Sequence, residues 1–381
     1  MRPYKITNMK KIIIAASLIL LALPGMSEPN GQAAHGLENA AAKSGHYFDA
    51  DNAPGFAIAL AAQERHQDAL LRKPGIHGVG ISQAEDGSAV VTVLVDASAS
   101  AAGIPESVDG VAVSVLQTGR FFAFNVDCEG RGLKDCDSIE AEASAGTQPP
   151  HPSDWHPRPV PIGISTGHPD VTAGTIACRV SSGCHTYALS NAHVFADTNA
   201  GDIGDEILQP GPVDGGTHPA DVIGTLYDYV PIVMSPDAEN EVDAAIILTN
   251  ASLVGTATRT NGYGTPRSET VLPKFNMSVK KYGRTTSQTV APIKVVNTSV
   301  TVGYGSSGTA RFIGQMVIES PDSSDPFSIA GDSGSLIVAN GGNNDRKSVG
   351  LLFASTTDGV YTIANPIDAV LVAFGVTIDG D

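Results

Sequence analysis

The stretch Gly-Asp-Ser-Gly-Ser at residues 331–335 leads directly into the apolar run Leu336–Val338. Gly331 and Gly334, which flank Ser333, permit a tight turn. The apolar run is typical of a buried strand. In such a turn the backbone amides of Gly331 and Ser333 can both point at one oxygen atom and stabilise negative charge on it. Ser333 is therefore a candidate nucleophile, although the same five residues could also form an ordinary turn.

A seryl hydroxyl becomes a useful nucleophile only when a base accepts its proton and a carboxylate orients that base. The best candidate base is His193, which ends the block Leu-Ser-Asn-Ala-His at residues 189–193. The best candidate acid is Asp243, because it precedes the apolar run 244–248 and can be buried at the mouth of a core strand. The chain order His, Asp, Ser excludes an α/β-hydrolase, in which the serine comes first and the histidine last.

These blocks resemble those of the chymotrypsin/trypsin-like serine peptidases. The block at 189–194 is similar to the family's Leu-Thr-Ala-Ala-His-Cys, but Val194 stands where many members have a cysteine. With Gly-Arg-Thr-Thr at 283–286, the blocks look closest to a trypsin-like subgroup shared by bacteria and plants, which includes the plant Narrow leaf 1 proteins. The resemblance implies peptide-bond hydrolysis through an acyl-enzyme, with a catalytic triad of His193, Asp243 and Ser333 and an oxyanion hole at Gly331 and Ser333.

The same resemblance suggests which residues contact the substrate. In the family, the residue six positions before the nucleophile forms the floor of the primary pocket, and that position is Phe327, with Ser328 beside it. Ala354 and Ser355 lie along the expected wall, and the run 349–355 resembles the strand that pairs with bound peptide. None of these side chains could pair with Lys or Arg, so we expect cleavage after small or medium apolar residues.

The pattern of residues 161–381 favours an all-β fold. Short apolar runs alternate with turns rich in Gly, Asn, Asp and Thr, and only residues 366–374 have helical character. Dense short strands of this kind indicate an antiparallel sandwich or barrel pair. The peptidase resemblance implies the more specific fold, a mainly β chymotrypsin-like double antiparallel β-barrel with a C-terminal helix.

A small α+β domain is predicted upstream, at residues 51–125. An Ala-rich helical pattern is followed by two strand-like runs around Asp86-Gly87, a short helical piece at 98–108 and a third strand-like run, in the order α-β-β-α-β. The segment contains no constellation of chemical side chains, so we expect a structural, pro-region or regulatory role. A disulfide loop and a Pro-rich linker are predicted at residues 126–160.

The first residues have the pattern of an export signal. Lys10 and Lys11 precede the apolar run 12–23, and small residues follow it, as in a signal peptide spanning residues 1–27. We therefore predict a secreted or periplasmic protein without membrane attachment after signal removal, with an uncleaved anchor as the alternative. Residues 28–50 are predicted to be a flexible lead.

The four cysteines suit an oxidising compartment. Cys178 and Cys184 flank a turn between two strand-like runs, and Cys128 and Cys136 close a second short loop. Two local disulfides are therefore predicted. The cysteines lack the spacing of a zinc site, so we expect no metal.

The composition narrows the classes of partner. The formal net charge of −17 repels nucleic acid and anionic lipid, so neither is an expected ligand. A polypeptide substrate is expected, with no cofactor, and the oligomeric state stays open. Two other functions remain possible from the sequence: a catalytically silent binding or scaffold protein with a peptidase fold, and an esterase that uses the same triad.

Overall fold

Short strands joined by turns form most of the regular secondary structure of the described residues. A computed structural model describes residues 47–49, 53–96, 103–123 and 150–381. The predicted signal peptide and nearly all of the predicted lead therefore lie outside the described residues. In the described part, the mainly β fold and the C-terminal helix are confirmed. No helix there is long and apolar enough to cross a membrane.

The N-terminal elements follow the predicted order closely. They are α1 (Phe56–Leu71), β1 (Ile76–Gln83), β2 (Ala89–Val95), β3 (Ser107–Val108), β4 (Val111–Gln117) and β5 (Phe121–Phe122). Strands β1 and β2 form an antiparallel hairpin, and β4 lies parallel to β2. The helical piece predicted at 98–108 is wrong for its described part: residues 103–106 form turns and irregular backbone, and β3 occupies 107 and 108, while residues 98–102 lie outside the described part.

The first half of the C-terminal part is built around an antiparallel sheet. Its elements are β6 (Val160–Ile162), β7 (Ser165–Thr166), β8 (Gly174–Thr175), β9 (Cys178–Ser182), β10 (His185–Ser190), α2 (Ala192–Phe195), β11 (Glu206–Leu208), β12 (Val222–Tyr229), β13 (Ala245–Thr249) and β14 (Val254–Thr258). The sheet has the order β11-β12-β13-β10-β9. Because α2 follows β10 directly, it is held at the end of this sheet, and all four of its residues are buried.

The second half is a closed barrel. Its elements are β15 (Ser278–Gly283), β16 (Ser287–Gly303), β17 (Thr309–Glu319), β18 (Leu336–Ala339), β19 (Ser348–Ser355), β20 (Tyr361–Pro366), α3 (Ile367–Phe374) and β21 (Thr377–Ile378). Neighbouring strands follow the order β15-β18-β19-β20-β17-β16, and β16 pairs back with β15 to close the ring. Strand β21 returns to the first sheet, where it pairs with β9.

The N-terminal strands extend the barrel sheet. Strand β1 pairs antiparallel with β16, with Gly78 opposite Val300 and Val79 opposite Ser299. The apolar core under α1 continues into the barrel, because one cluster contains both Phe56 from the helix and Ile337 from β18. All described residues belong to one compact unit, His46–Asp381. The division into a domain at 51–125 and another at 161–381 stays a prediction.

The last residues of the predicted Pro-rich linker are bound to the body of the protein. The Gln209 side chain donates to the Asp154 carbonyl oxygen at 3.0 Å, and the Ser165 amide donates to that of Pro152 at 2.9 Å. His156 is buried and its amide donates to the Gln209 side chain. Residues 150–160 therefore pack on the first sheet, while residues 126–149 lie outside the described part.

The two cysteines of the β9–β10 hairpin are free thiols, contrary to the predicted disulfide. The register places Cys178 opposite Leu189 and Ser182 opposite His185, so Cys184 lies in the turn at the far end of the hairpin. Strand residues advance by about 3.3 Å each, whereas a disulfide needs Cα atoms within about 7 Å. The other predicted pair, Cys128 and Cys136, lies outside the described residues.

A buried histidine in β1 predicts a pH-dependent stability. Burial lowers the pKa of His77 from 6.5 to about 4, and its Nε2 lies 3.0 Å from the Thr118 hydroxyl. Between those two pH values the unfolded chain binds the extra proton, so stability is complete above pH 6.5 and is lost as the pH falls towards 4. We expect the unfolding free energy to decrease by about 3 kcal/mol more in the wild type than in His77→Gln. Urea unfolding at pH 7 and pH 4 measures this, and equal decreases in both proteins would contradict it.

Candidate active site

His193 and Asp243 meet because their strands are neighbours. His193 lies in α2, which follows β10, and Asp243 lies two positions before the first residue of β13. Strands β10 and β13 are antiparallel neighbours, with Ser190 opposite Ala245. The end of β10, which leads to His193, therefore lies beside the start of β13, which follows Asp243. Both side chains are buried, and His193 Nδ1 lies 2.6 Å from Asp243 Oδ2.

Three further donors hold the Asp243 carboxylate. The amides of Ala192 and His193 donate to Oδ1 at 2.7 and 3.2 Å, and the Tyr304 hydroxyl donates to Oδ2 at 2.8 Å. Burial, with the nearby Asp243 charge, raises the pKa of Tyr304, so its hydroxyl keeps the proton that it donates. A carboxylate that accepts this many hydrogen bonds is held in one orientation.

This arrangement determines which nitrogen of His193 is able to act as a base. Because the carboxylate accepts a hydrogen bond at Nδ1, that nitrogen carries the proton and Nε2 carries the lone pair. Nε2 is buried and has no hydrogen-bond partner among the described residues. The Tyr304 ring packs edge-on against the imidazole, with centroids 6.1 Å apart. The imidazole is thus fixed, with its basic nitrogen unoccupied.

The loop at 331–335 leaves two amides available. The amides of Asp332, Gly334 and Ser335 donate to the carbonyl oxygens of Ile329, Leu352 and Asp332. In contrast, those of Gly331 and Ser333 donate to no group in the described residues. Gly331 has φ +93°, in the left-handed region that favours glycine. The two free amides are those that the sequence predicts for an oxyanion hole.

A buried ion pair supports this loop from inside. The Asp332 carboxylate accepts the amides of Thr285, Thr286 and Ile329 and the Thr286 hydroxyl, at 2.8 to 3.2 Å. Lys281 Nζ lies 3.6 Å from Asp332 Oδ2, and neither side chain is exposed to solvent. Burial lowers the pKa of Lys281, while the Asp332 carboxylate raises it. Lys281 therefore provides the only positive charge that the described residues place against this carboxylate.

Strand β8 brings the serine loop next to α2. The Thr175 amide donates to the Ser333 carbonyl oxygen at 2.7 Å, and the Thr175 hydroxyl donates to that of Gly331 at 2.9 Å. A Cβ atom on Gly174 would stand 3.0 Å from the Ser333 carbonyl oxygen and would overlap the Val194 side chain. Only glycine fits there, because Ser333 and the helix that carries His193 both pack against Gly174. The unpartnered Nε2 means that no hydrogen bond joins His193 to Ser333 in this structure.

The four predicted substrate-contact residues are all buried. Phe327 packs with its ring centroid 6.0 Å from Lys281 Nζ, and the Ser328 hydroxyl lies 2.7 Å from that of Thr362. Ala354 and Ser355 end β19, which is continuous with the serine loop through the bond from the Gly334 amide to Leu352. Phe327 and Ser328 are thus part of the barrel interior, whereas Ala354 and Ser355 lie on the strand beside the candidate nucleophile.

Sequence reasoning missed the supporting residues Lys281, Tyr304 and Asn365. Lys281 lies two residues before the Gly-Arg-Thr-Thr block at 283–286, and this block was the sequence signal that could have identified it. Tyr304 and Asn365 approach Asp243 only through the fold: the Asn365 side chain accepts the Asp243 amide at 3.1 Å from 122 positions away. No local pattern marks either residue.

No family model matches this chain, and no curated protein matches it either. Solved structures of serine proteases are similar to it over a little more than half its length. A glutamic acid specific serine protease is 21% identical over 57% of this chain and 100% of that chain, with a TM-score of 0.43. Thermobifida fusca Protease A is 20% identical over 58% of this chain and 99% of that one, with a TM-score of 0.42.

A third similar structure is a Cellulomonas bogoriensis chymotrypsin, 18% identical over 58% of this chain and 99% of that one, with a TM-score of 0.39. Such values are too low for an activity to carry over from any of these proteins. The subgroup that includes the Narrow leaf 1 proteins stays a prediction.

Proposed function

We propose that this protein is an exported serine endopeptidase that hydrolyses peptide bonds through an acyl-enzyme. Ser333 is the nucleophile, His193 the general base and acid, and Asp243 the residue that orients His193. The observation that carries the proposal is the buried 2.6 Å contact between His193 Nδ1 and Asp243 Oδ2, together with the unpartnered Nε2. Burying a basic nitrogen without a hydrogen-bond partner costs folding free energy. Groups held in such unfavourable environments are typical of functional sites.

The first chemical step follows from these positions. Ser333 Oγ attacks the carbonyl carbon of the scissile bond as His193 Nε2 takes the hydroxyl proton. The carbonyl oxygen becomes an anion and accepts hydrogen bonds from the amides of Gly331 and Ser333, which typically stabilise it by about 3 kcal/mol each. The tetrahedral intermediate then collapses, His193 gives its proton to the leaving amine, and an ester between Ser333 and the acyl group remains.

Water completes the reaction on the same residues. His193 Nε2 removes a proton from a water molecule as that water attacks the ester carbonyl. The second tetrahedral intermediate uses the same two amides, and its collapse returns the proton to Ser333 Oγ. The described residues contain no group of three or more His, Cys, Asp or Glu side chains that could hold a metal ion.

Covalent labelling tests the proposal directly. A fluorophosphonate probe should form a phosphonyl ester with Ser333 Oγ as fluoride leaves, and Ser333→Ala should abolish the label. Ser335→Ala is a matched control, because Ser335 lies two residues after the nucleophile. Its hydroxyl donates to the Asp332 carbonyl oxygen. Absence of label on the wild type would favour the silent binding protein, and label retained in Ser333→Ala would place the nucleophile elsewhere.

Substrate choice separates the peptidase from the esterase alternative. A peptidase turns over matched peptide amides and esters through a common acyl-enzyme, whereas an esterase leaves the amides uncut. We favour the peptidase because the edge of β19 beside the nucleophile pairs at Ser355 with an extended segment of the chain, as it would with an extended polypeptide substrate. Mass spectrometry of the mature secreted protein tests the export signal and the proposed pro-region, since its first residue reports whether segments 1–27 and 51–125 are removed.

A further inference from the structure

Strand β19 presents a short edge beside the candidate nucleophile. One edge pairs with β20 as far as Ser355, which lies opposite Thr362. The other edge pairs with β18, and its last bonds join Leu352 to Gly334 and Ser335, directly after Ser333. Beyond Leu352 this second edge is no longer covered by β18. The stretch of this edge that follows the nucleophile therefore runs from Leu352 to Ser355 outside the pairing with β18.

The chain's own strand β5 occupies the far end of this edge. Phe122 pairs antiparallel with Ser355 of β19. On its other side β5 pairs parallel with the end of β16, with Phe121 opposite Val302 and Phe122 opposite Gly303. Two residues thus bridge the barrel strand next to the nucleophile and the strand that leads to Tyr304.

The direction of β5 is towards the catalytic residues. Because it runs antiparallel to β19, its C-terminal end points from Ser355 back towards Leu352 and the serine loop. The Ala123 amide donates to the Gly303 carbonyl oxygen at 3.0 Å. The residue after Gly303 is Tyr304, which contacts both the carboxylate and the imidazole of the triad. Strand β5 therefore approaches the site from the side on which an acyl group would bind.

The side chains of β5 fit this position closely. A Cβ atom on Gly303 would stand 3.0 Å from Phe122 Cδ1, so the Phe122 ring lies directly over that glycine. Phe121 is buried and packs edge-on against His77, with ring centroids 5.8 Å apart. Ala123 is buried as well. One aromatic ring thus anchors β5 to the N-terminal elements, while the other covers the groove floor at Gly303.

We propose that residues Phe121–Ala123 are a built-in pseudosubstrate that occupies the acyl-side peptide groove between β19 and the end of β16. The inference rests on the peptidase function proposed above and specifies its regulation and substrate class. A substrate pairs with the same edge of β19 and places an aromatic side chain opposite Ser355. Strand addition of this kind draws affinity from backbone hydrogen bonds and selectivity from alternate side chains.

Tethering makes this inhibition effective and gives it a kinetic signature. A segment joined through a short connection has an effective concentration in the millimolar range. It competes with substrate for the groove but touches none of the reacting atoms. The apparent KM is the intrinsic KM divided by the fraction of time that the groove is free, so release of the segment lowers KM to the intrinsic value and leaves kcat unchanged.

A substitution in β5 tests the proposal on the full chain. Phe122→Asp should lower the KM for an extended peptide p-nitroanilide at least about tenfold, with kcat unchanged. Ile58→Asp makes the same chemical change on the exposed face of α1, where the side chain is 65% exposed, and should leave both constants at their wild-type values. The intact mass of each preparation verifies that β5 is still attached. A synthetic peptide spanning residues 118–123 should inhibit Phe122→Asp competitively, and a scrambled peptide should not.

The outcomes distinguish this inference from the proposed function. Equal KM values for the wild type and Phe122→Asp, with no inhibition by the synthetic peptide, would overturn the pseudosubstrate while leaving the peptidase intact. If Phe122→Asp folds poorly, inhibition by added peptide in Phe122→Gly decides the question instead. If fluorophosphonate labels neither protein at Ser333, the proposed function itself fails.

Discussion

Asp243→Asn is expected to lower kcat about 10⁴-fold while leaving KM almost unchanged. In the wild type, the Asp243 carboxylate accepts hydrogen bonds from His193 Nδ1 at 2.6 Å, from two backbone amides and from one hydroxyl. An amide side chain presents an NH₂ group to Nδ1, which favours the tautomer with the proton on Nε2. That tautomer cannot accept the proton of Ser333, so attack loses its base although the geometry persists. Steady-state turnover of a peptide ester measures the change.

The matched control for this prediction is Asp228→Asn. Asp228 lies exposed on β12, and the one hydrogen bond that its side chain accepts within the described part of the chain comes from the Tyr229 amide. We expect wild-type kinetics from this variant, because no group of the site contacts it. A kcat for Asp243→Asn within a few-fold of the wild type would remove Asp243 from the mechanism.

Lys281→Met is expected to lower the free energy of unfolding by about 3 to 5 kcal/mol. The methionine has a similar volume, but Asp332 is left fully buried without a positive charge. Its hydrogen bonds to Thr285, Thr286 and Ile329 cannot replace the ion pair. Because Asp332 lies between Gly331 and Ser333, whose amides we propose as the oxyanion hole, loss of its support should also reduce the proposed peptidase activity. Urea unfolding, monitored by circular dichroism, measures the stability.

A neighbouring lysine provides the control. Lys280 Nζ lies 2.8 Å from Asp345, whose side chain is about one third exposed, so Lys280→Met should cost less than about 1 kcal/mol. The double variant Lys281→Met with Asp332→Asn removes both charges and should recover part of the lost stability. If Lys281→Met unfolds at the wild-type urea concentration, the ion pair does not stabilise this loop.

Local sequence patterns predicted helices, strands and the three candidate triad residues, because each of these is recognised from its immediate neighbours in sequence. The alternation around Asp86-Gly87 indicates the β1–β2 hairpin, and the apolar run after Asp243 indicates β13. The pairing of β1 with β16 joins residues more than 200 positions apart, and nothing in either strand identifies the other. The same holds for Asn365, whose contact with Asp243 depends on the closure of the barrel.

The prediction of a disulfide between Cys178 and Cys184 failed because of the strand register. Two cysteines around a turn are bridged only when they face each other, and a shift along the hairpin separates them. Here Cys178 faces Leu189, which the local sequence does not specify. Burial of a charge is equally invisible in composition: Lys281 and Lys280 are adjacent in sequence, but only Lys281 points into the barrel.

The continuity of β1 with β16 has a consequence for any shortened form of this protein. While β1 is present, it satisfies the backbone of β16 at Val296, Ser299 and Val300. Cutting away the N-terminal strands would uncover these groups along an apolar border, and such borders recruit extended chains from other molecules. A form without these strands would consequently self-associate along this border or capture a replacement strand, so any loss of the N-terminal segment would change the assembly state through the hydrogen bonds of β16.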